Sequence, residues 1–172
     1  MSKKIRVLVD GVGGDVGQGI LKSLLYTKLD IELYASCIND KSSWLYKIKN
    51  SYIFPLVSDE NFIDFLVDFI NKYKIDVYFP TVDSTLLKIS KYKNFIENKT
   101  NVKIFIDNLE KIEICDDKYL TNKFLVKNSF VPDLAAWMIP EGDTAFSTRN
   151  FGEGVAQQAK MSTTGAISSM MK

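Results

Sequence analysis

The sequence predicts an α/β domain over residues 1–133, with a parallel sheet of about five strands in the order 3-2-1-4-5 and helices on both faces. Three observations predict it. A short apolar run from Ile5 ends in the glycine-rich turn Gly11-Val12-Gly13-Gly14-Asp15-Val16-Gly17, and an amphipathic run follows. Strand-like and helix-like apolar periods then alternate along the chain. Two of the strand-like runs close on proline, at Pro55 and Pro80. Proline cannot donate to a sheet ladder, so it marks a strand end.

Ile5–Asp10 reads as the first strand and Val16–Thr27 as the first helix, with Val16, Ile20, Leu21, Leu24 and Leu25 on one face. Ile31–Cys37 reads as strand two. Ser43–Lys49 fits a short helix, and Tyr52-Ile53-Phe54-Pro55 a brief third strand. Ser58, Asp59 and Glu60 then offer a cap and first-turn negative charge for a helix. Its stripe is Phe62, Ile63, Leu66, Phe69, Ile70 and Tyr73, which is core packing at helical spacing. Strand four is Asp76–Pro80. Leu86, Leu87, Ile89, Tyr92, Phe95 and Ile96 make the next helix, and Val102–Ile106 strand five. Leu109–Ile114 is a short helical piece. Asp116 or Asp117 caps a last helix to about Lys127, with Asn128 at its left-handed end.

In this order, strands one and four lie side by side while their connections leave in opposite directions. Open α/β sheets bind ligands in the crevice that results, outside the carboxyl ends of the strands. Two turns meet there. The first supplies Gly11, Gly13, Gly14, Asp15 and Gly17, and the second Thr81, Asp83 and Ser84; these are the candidate binding residues. Backbone N–H groups of Gly13 to Gly17 at a helix N-terminus, with Thr and Ser hydroxyls, suit a small carboxylate or phosphate ligand. Asp83 would repel that anion, which leaves it capping the next helix or accepting from an amine or hydroxyl. Asp15 fits a partner for the helix dipole.

The glycine spacing is open to more than one reading. A G-x-G-x-x-G dinucleotide fingerprint starting at Gly11 and Gly13 needs glycine where Val16 stands. Gly11, Gly14 and Gly17 fit a looser G-x-x-G-x-x-G. A turn that only packs helix on strand needs the same residues. Asp40 follows strand two somewhat late for a ribose-binding acid, and a solvated loop aspartate explains it better.

Composition narrows the chemistry. The 172 residues suffice for one sizeable core, and 46% apolar with 25% charged residues is ordinary for a globular protein. A net charge of +1 gives no reason to expect nucleic acid or an acidic membrane as partner. No apolar run reaches membrane-spanning length, and Met1-Ser2-Lys3-Lys4 leads straight into a strand, so a cytoplasmic protein without signal peptide is expected. Cys37 and Cys115 form no metal or redox motif. With no histidine, Ser-His-Asp, Cys-His and His-based zinc sites are excluded, and no metal ligand set is expected. The catalytic residues and any homo-oligomeric state stay open. Residues 134–172 change character: they hold three of the 22 Lys and Arg, namely Arg149, Lys160 and Lys172. They read as an atypical tail, of which residues 140–172 are expected to add little stability.

Four segments resemble the N-terminal part of ATP-grasp ligases similar to the carbamoyl-phosphate synthase large subunit. They are Val9–Gly19, Pro55–Asp59, Phe79–Ser84 and Cys115–Leu125. The resemblance implies a Rossmann-like pre-ATP-grasp domain, from a ligase that activates a carboxylate with ATP and Mg²⁺ and passes it to an amine. It also implies inactivity alone, because the residues that hold ATP and Mg²⁺ in that family are not in this chain. Only Pro132 and apolar character survive of the family's continuation, and Arg149–Gly154 would be a degraded glycine loop. A different reading rests on Gly11, Gly14 and Gly17: an NAD(P)-binding Rossmann oxidoreductase or sensor domain, against which stand the late Asp40 and an expected lack of any Tyr-x-x-x-Lys pair of the reductase kind. A third is an interaction domain with a vestigial pocket.

Overall fold

The computed structural model describes residues 4–129. The chain divides into two compact units, Met1–Ile112 and Glu113–Lys172. The tail expected over 134–172 lies outside the described residues.

The first unit is an α/β sandwich of β1 (Ile5–Val9), α1 (Asp15–Leu25), β2 (Ile31–Cys37), a 3-10 turn (Ser43–Tyr46), β3 (Asn50–Ile53), α2 (Phe62–Tyr73), β4 (Val77–Phe79), α3 (Asp83–Thr100) and β5 (Lys103–Ile104). The five strands form one sheet in the order β3-β2-β1-β4-β5, and every pairing is parallel. The predicted Rossmann-like architecture is therefore observed, strand order included.

Alternation along each strand sorts the core into two layers. Leu8, Tyr34, Tyr78 and Ile104 face α2 and α3, where Phe62, Leu66, Ile70, Ile89 and Ile96 are buried with them. Val7, Val9, Ala35 and Cys37 face the other way, onto Leu21 of α1 and onto Trp44, Leu45 and Ile48 at the 3-10 turn. Burial on both faces explains why the strands read as continuous apolar runs.

Several boundaries shift for local reasons. β5 is shorter than the five residues expected, because its partner β4 stops at Phe79, before Pro80. β3 starts earlier, at Asn50, and ends at Ile53, which pairs with the last residue of β2. Ser58 does not cap α2; Asn61 holds that position without a side-chain hydrogen bond. Val82 is the N-cap of α3, so neither Asp83 nor Ser84 caps it. On α1 the apolar stripe narrows: Val16 and Leu25 are exposed while Leu21 is buried. Val16 lies about 140° round the helix from Leu21 and cannot reach the sheet with it. Tyr92 and Phe95 of α3 are likewise exposed.

α4 (Leu109–Asp116) runs across the division between the units, and α5 (Lys118–Lys127) belongs to the second. Asp117 caps α5, accepting from the N–H groups of Tyr119 and Leu120. The left-handed residue after it is Ser129, with φ 59°, and not Asn128. The Asn128 amide instead donates to the carbonyl of Phe124. No helix among the described residues is long and apolar enough to cross a membrane.

Candidate functional site

A cavity of about 440 Å³ opens at the carboxyl ends of the first three strands. Its floor is the turn after β1, at Asp10, Gly11, Gly13 and Gly14. Cys37, Ile38 and Asn39 form the side wall at the end of β2, continued by Lys41 and Ser42. The chain leaving β3, from Phe54 to Val57, makes an apolar wall with Phe62 of α2. Val82, Ser84 and Thr85 at the start of α3 complete it. One end is thus backbone and hydroxyl, and the other is aromatic and aliphatic.

The glycine turn has a defined geometry. Gly11 has φ +64°, and a Cβ there would stand 2.4 Å from Cγ2 of Val82. Only glycine takes that conformation in that space. At Gly17 a Cβ would stand 2.7 Å from the carbonyl oxygen of Gly11, so this glycine lets α1 press on the turn. Gly14 is different: a Cβ there would meet only the Gly11 oxygen, at 3.6 Å. The open side of Gly14 belongs to the cavity.

The expected row of N–H donors from Gly13 to Gly17 is interrupted. The Gly14 N–H already donates to the Gly11 carbonyl at 3.0 Å, closing the turn. The N–H groups of Asp15, Val16 and Gly17 open α1, where no preceding helical carbonyl can reach them. The second turn is also partly engaged. The Thr81 hydroxyl donates to the carbonyl of Asp10 at 2.6 Å, tying the end of β1 to the chain after β4. Of the eight candidate residues, Gly11, Gly13, Gly14 and Ser84 line the cavity; Asp15, Gly17, Thr81 and Asp83 do not.

Asp10 went unrecognised in the sequence, although a carboxylate ending an apolar strand was the signal for it. It is 6% exposed and lies in the cavity floor. Its Oδ1 accepts from the Gly11 N–H at 2.7 Å and the Ser36 hydroxyl at 2.9 Å. The Tyr78 hydroxyl donates to Oδ2 across 3.4 Å. Burial raises the Asp10 pKa above the ordinary carboxylate value, while the donors, Ser36 foremost, act against the rise. Burial, with the Asp10 charge beside it, also pushes the Tyr78 phenol up.

A raised folded-state pKa means that the folded protein holds this proton more tightly than the unfolded chain does. The Asp10 contribution to stability is then complete below the unfolded carboxylate pKa and is lost as pH rises through the folded one. Asp10→Asn removes that titration and keeps an oxygen for Gly11 and Ser36. Subtracting the stability–pH curve of Asp10→Asn from that of the wild type should leave a component that declines toward higher pH. Urea denaturation from roughly pH 4 to pH 8 measures it, and a flat difference would contradict the assignment.

The expected lack of a Tyr-x-x-x-Lys spacing is corrected by the chain itself, which has that spacing at Tyr119 and Lys123. Both lie on α5, in the second unit, with the Lys123 ammonium 5.2 Å from the centre of the Tyr119 ring. One helical turn separates them, which accounts for the cation–π contact.

No family model and no curated protein matches the chain. Among solved structures it is similar to one described as the carbonyl reductase Sniffer of Caenorhabditis elegans, at 17% identity and TM-score 0.42, over 58% of this chain and 53% of that one. It is also similar to the CurK enoyl reductase, at 15% identity and TM-score 0.37, over 76% of this chain and 44% of that one. The chain thus spans about half the length of each. Both are named as reductases, and neither is named as an ATP-grasp ligase.

The expectation of a ligase fragment similar to the carbamoyl-phosphate synthase large subunit is corrected on this finding, and ATP and Mg²⁺ are withdrawn with it. The structure shows why its segments misled. Gly11 and Gly17 serve the turn, Thr81 ties two strand ends together, and Asp117 caps a helix. A parallel α/β sheet needs such residues at these junctions whatever it binds.

Proposed function

We propose that this chain binds an NAD(P)-type dinucleotide in the cavity at the carboxyl ends of β1, β2 and β3, as the cofactor-holding part of an oxidoreductase or a redox-sensing domain. The observation that carries the proposal is Gly14. It leaves open space beside the first turn of α1, on the wall of a cavity whose far end is apolar. A phosphate at Gly13 and Gly14 would meet the N-terminal field of an 11-residue helix. The Ser84 hydroxyl is a second donor on the same cavity. A planar base fits the other end, between Ile38 and the Phe54–Val57 wall. Gly11 and Gly17 shape the turn, Thr81 fixes its position, and Asp15 and Asp83 stand as first-turn residues of α1 and α3.

The wall after β2 bears on which dinucleotide is bound. Asp40 is outside the cavity and Lys41 is part of its lining. An acid there would hold a bare ribose; a cation suits a 2′-phosphate. NADPH is therefore expected to bind more tightly than NADH. Titration calorimetry with each compares them directly. Cys37, which lines the cavity, supplies a second readout: bound NADPH should slow its alkylation while the exposed Cys115 reacts as before. No heat and no protection with either dinucleotide at millimolar concentration would refute the reading.

A further inference from the structure

We infer that Lys88 is a positioning residue that clamps the apolar wall of the cavity against α3 and so sets its width. The inference rests on the reading of this cavity as the binding site. The wall belongs to residues 54–61, between β3 and α2. Its ends are anchored, since Phe54 and Phe62 are both buried in the core. Between them the chain turns on itself, with the Asp59 N–H donating to Leu56 and the Phe62 N–H donating to Asp59.

The side chain that reaches this stretch from another element is Lys88. Its ammonium donates to the carbonyl of Val57 at 2.6 Å and to that of Asp59 at 2.9 Å. It also stands 5.6 Å from the centre of the Phe62 ring. Apart from the Phe62 N–H at the start of α2, the described hydrogen bonds that tie residues 55–60 to another element are those two of Lys88. Lys88 follows Ser84 by four residues on α3, so the two share a helix face. One face of α3 therefore gives Ser84 to the cavity and, a turn below, holds the opposite wall in place. Charge-assisted bonds to two carbonyls suit this task, because one cation can collect both and no neutral side chain supplies three donors.

Cys37 reports the state of that wall without any ligand. Its thiol lines the same cavity and is 8% exposed, while Cys115 is an exposed internal reference. Lys88→Met keeps the aliphatic stem and removes the donors. It should speed Cys37 alkylation on the order of tenfold relative to Cys115, as expected for losing charge-assisted bonds from a closed state. Lys88→Arg keeps cationic donors and should restore slow labelling. An unchanged Cys37 rate in Lys88→Met would overturn the clamp. So would an acceleration equal to the change in the global unfolding constant measured in urea, because labelling would then follow whole-chain unfolding. NADPH titration of the same proteins is read separately. If the wild type binds no dinucleotide, the proposed function falls, and the alkylation rates still decide the clamp.

Discussion

Gly17→Ala is expected to destabilise the protein by about 3 kcal/mol, at the upper end of what one added methyl costs in a close-packed site. The reason is what the methyl would meet. The new Cβ would lie 2.7 Å from the Gly11 carbonyl oxygen and 3.0 Å from both the Gly11 carbonyl carbon and the Val12 Cα. All three are backbone atoms, so no side chain can swing aside. Either α1 lifts from the turn or the turn itself distorts. Helix propensity works in the opposite direction, since alanine is favoured over glycine in a helix by about 1 kcal/mol. Gly19→Ala isolates that opposing effect, because nothing stands within 4 Å of its Cβ. Gly19→Ala should be neutral or stabilising by up to about 1 kcal/mol. Urea denaturation of both variants, followed by circular dichroism, gives the comparison. Equal midpoints for the two would show that α1 does not press on the turn at Gly17.

The second large effect concerns binding. Gly14→Val should weaken NADPH binding by at least about 100-fold, or about 2.7 kcal/mol, while leaving the fold in place. Gly14 has φ −93° and ψ 165°, an extended conformation that valine adopts readily. The only neighbour of its Cβ is the Gly11 oxygen at 3.6 Å, an ordinary contact. Valine is a poorer N-cap than glycine, so a stability loss of about 1 kcal/mol is expected, well below that of Gly17→Ala. The bulk enters the space assigned to the phosphate. Two glycines three residues apart thus separate the roles: one change harms the fold and the other harms the site. Normal NADPH affinity in a folded Gly14→Val protein would move the ligand away from the glycine turn.

Much of the architecture was legible in the amino acids. The alternation of strand and helix periods carried the parallel sheet, and the run from Val7 to Gly17 carried the strand, turn and helix at its centre. These signals are local. An apolar period of two or of 3.6 residues shows within one segment, and a glycine turn shows in consecutive residues. Strand order 3-2-1-4-5 followed because few topologies satisfy such an alternation. A cap at Asp116 or Asp117 was legible for the same reason, and the structure chose Asp117: the N–H groups it accepts from are two and three residues away.

Tertiary structure supplied what depends on partners distant in sequence. Asp10 became a buried acid only when Ser36 and Tyr78, 26 and 68 residues away, closed around it. Lys88 is one of many lysines until residues 57 and 59 are brought to it. Thr81 looked like a free hydroxyl on the crevice, but the carbonyl of Asp10, 71 residues earlier, occupies it. The glycines divide along the same line. In the sequence Gly11, Gly14 and Gly17 are equivalent members of one spacing. Gly11 faces Val82, Gly17 faces the backbone of the turn, and Gly14 faces open space on the cavity side. A spacing records that a Cβ is missing; the surrounding atoms decide whether its absence serves packing or a ligand.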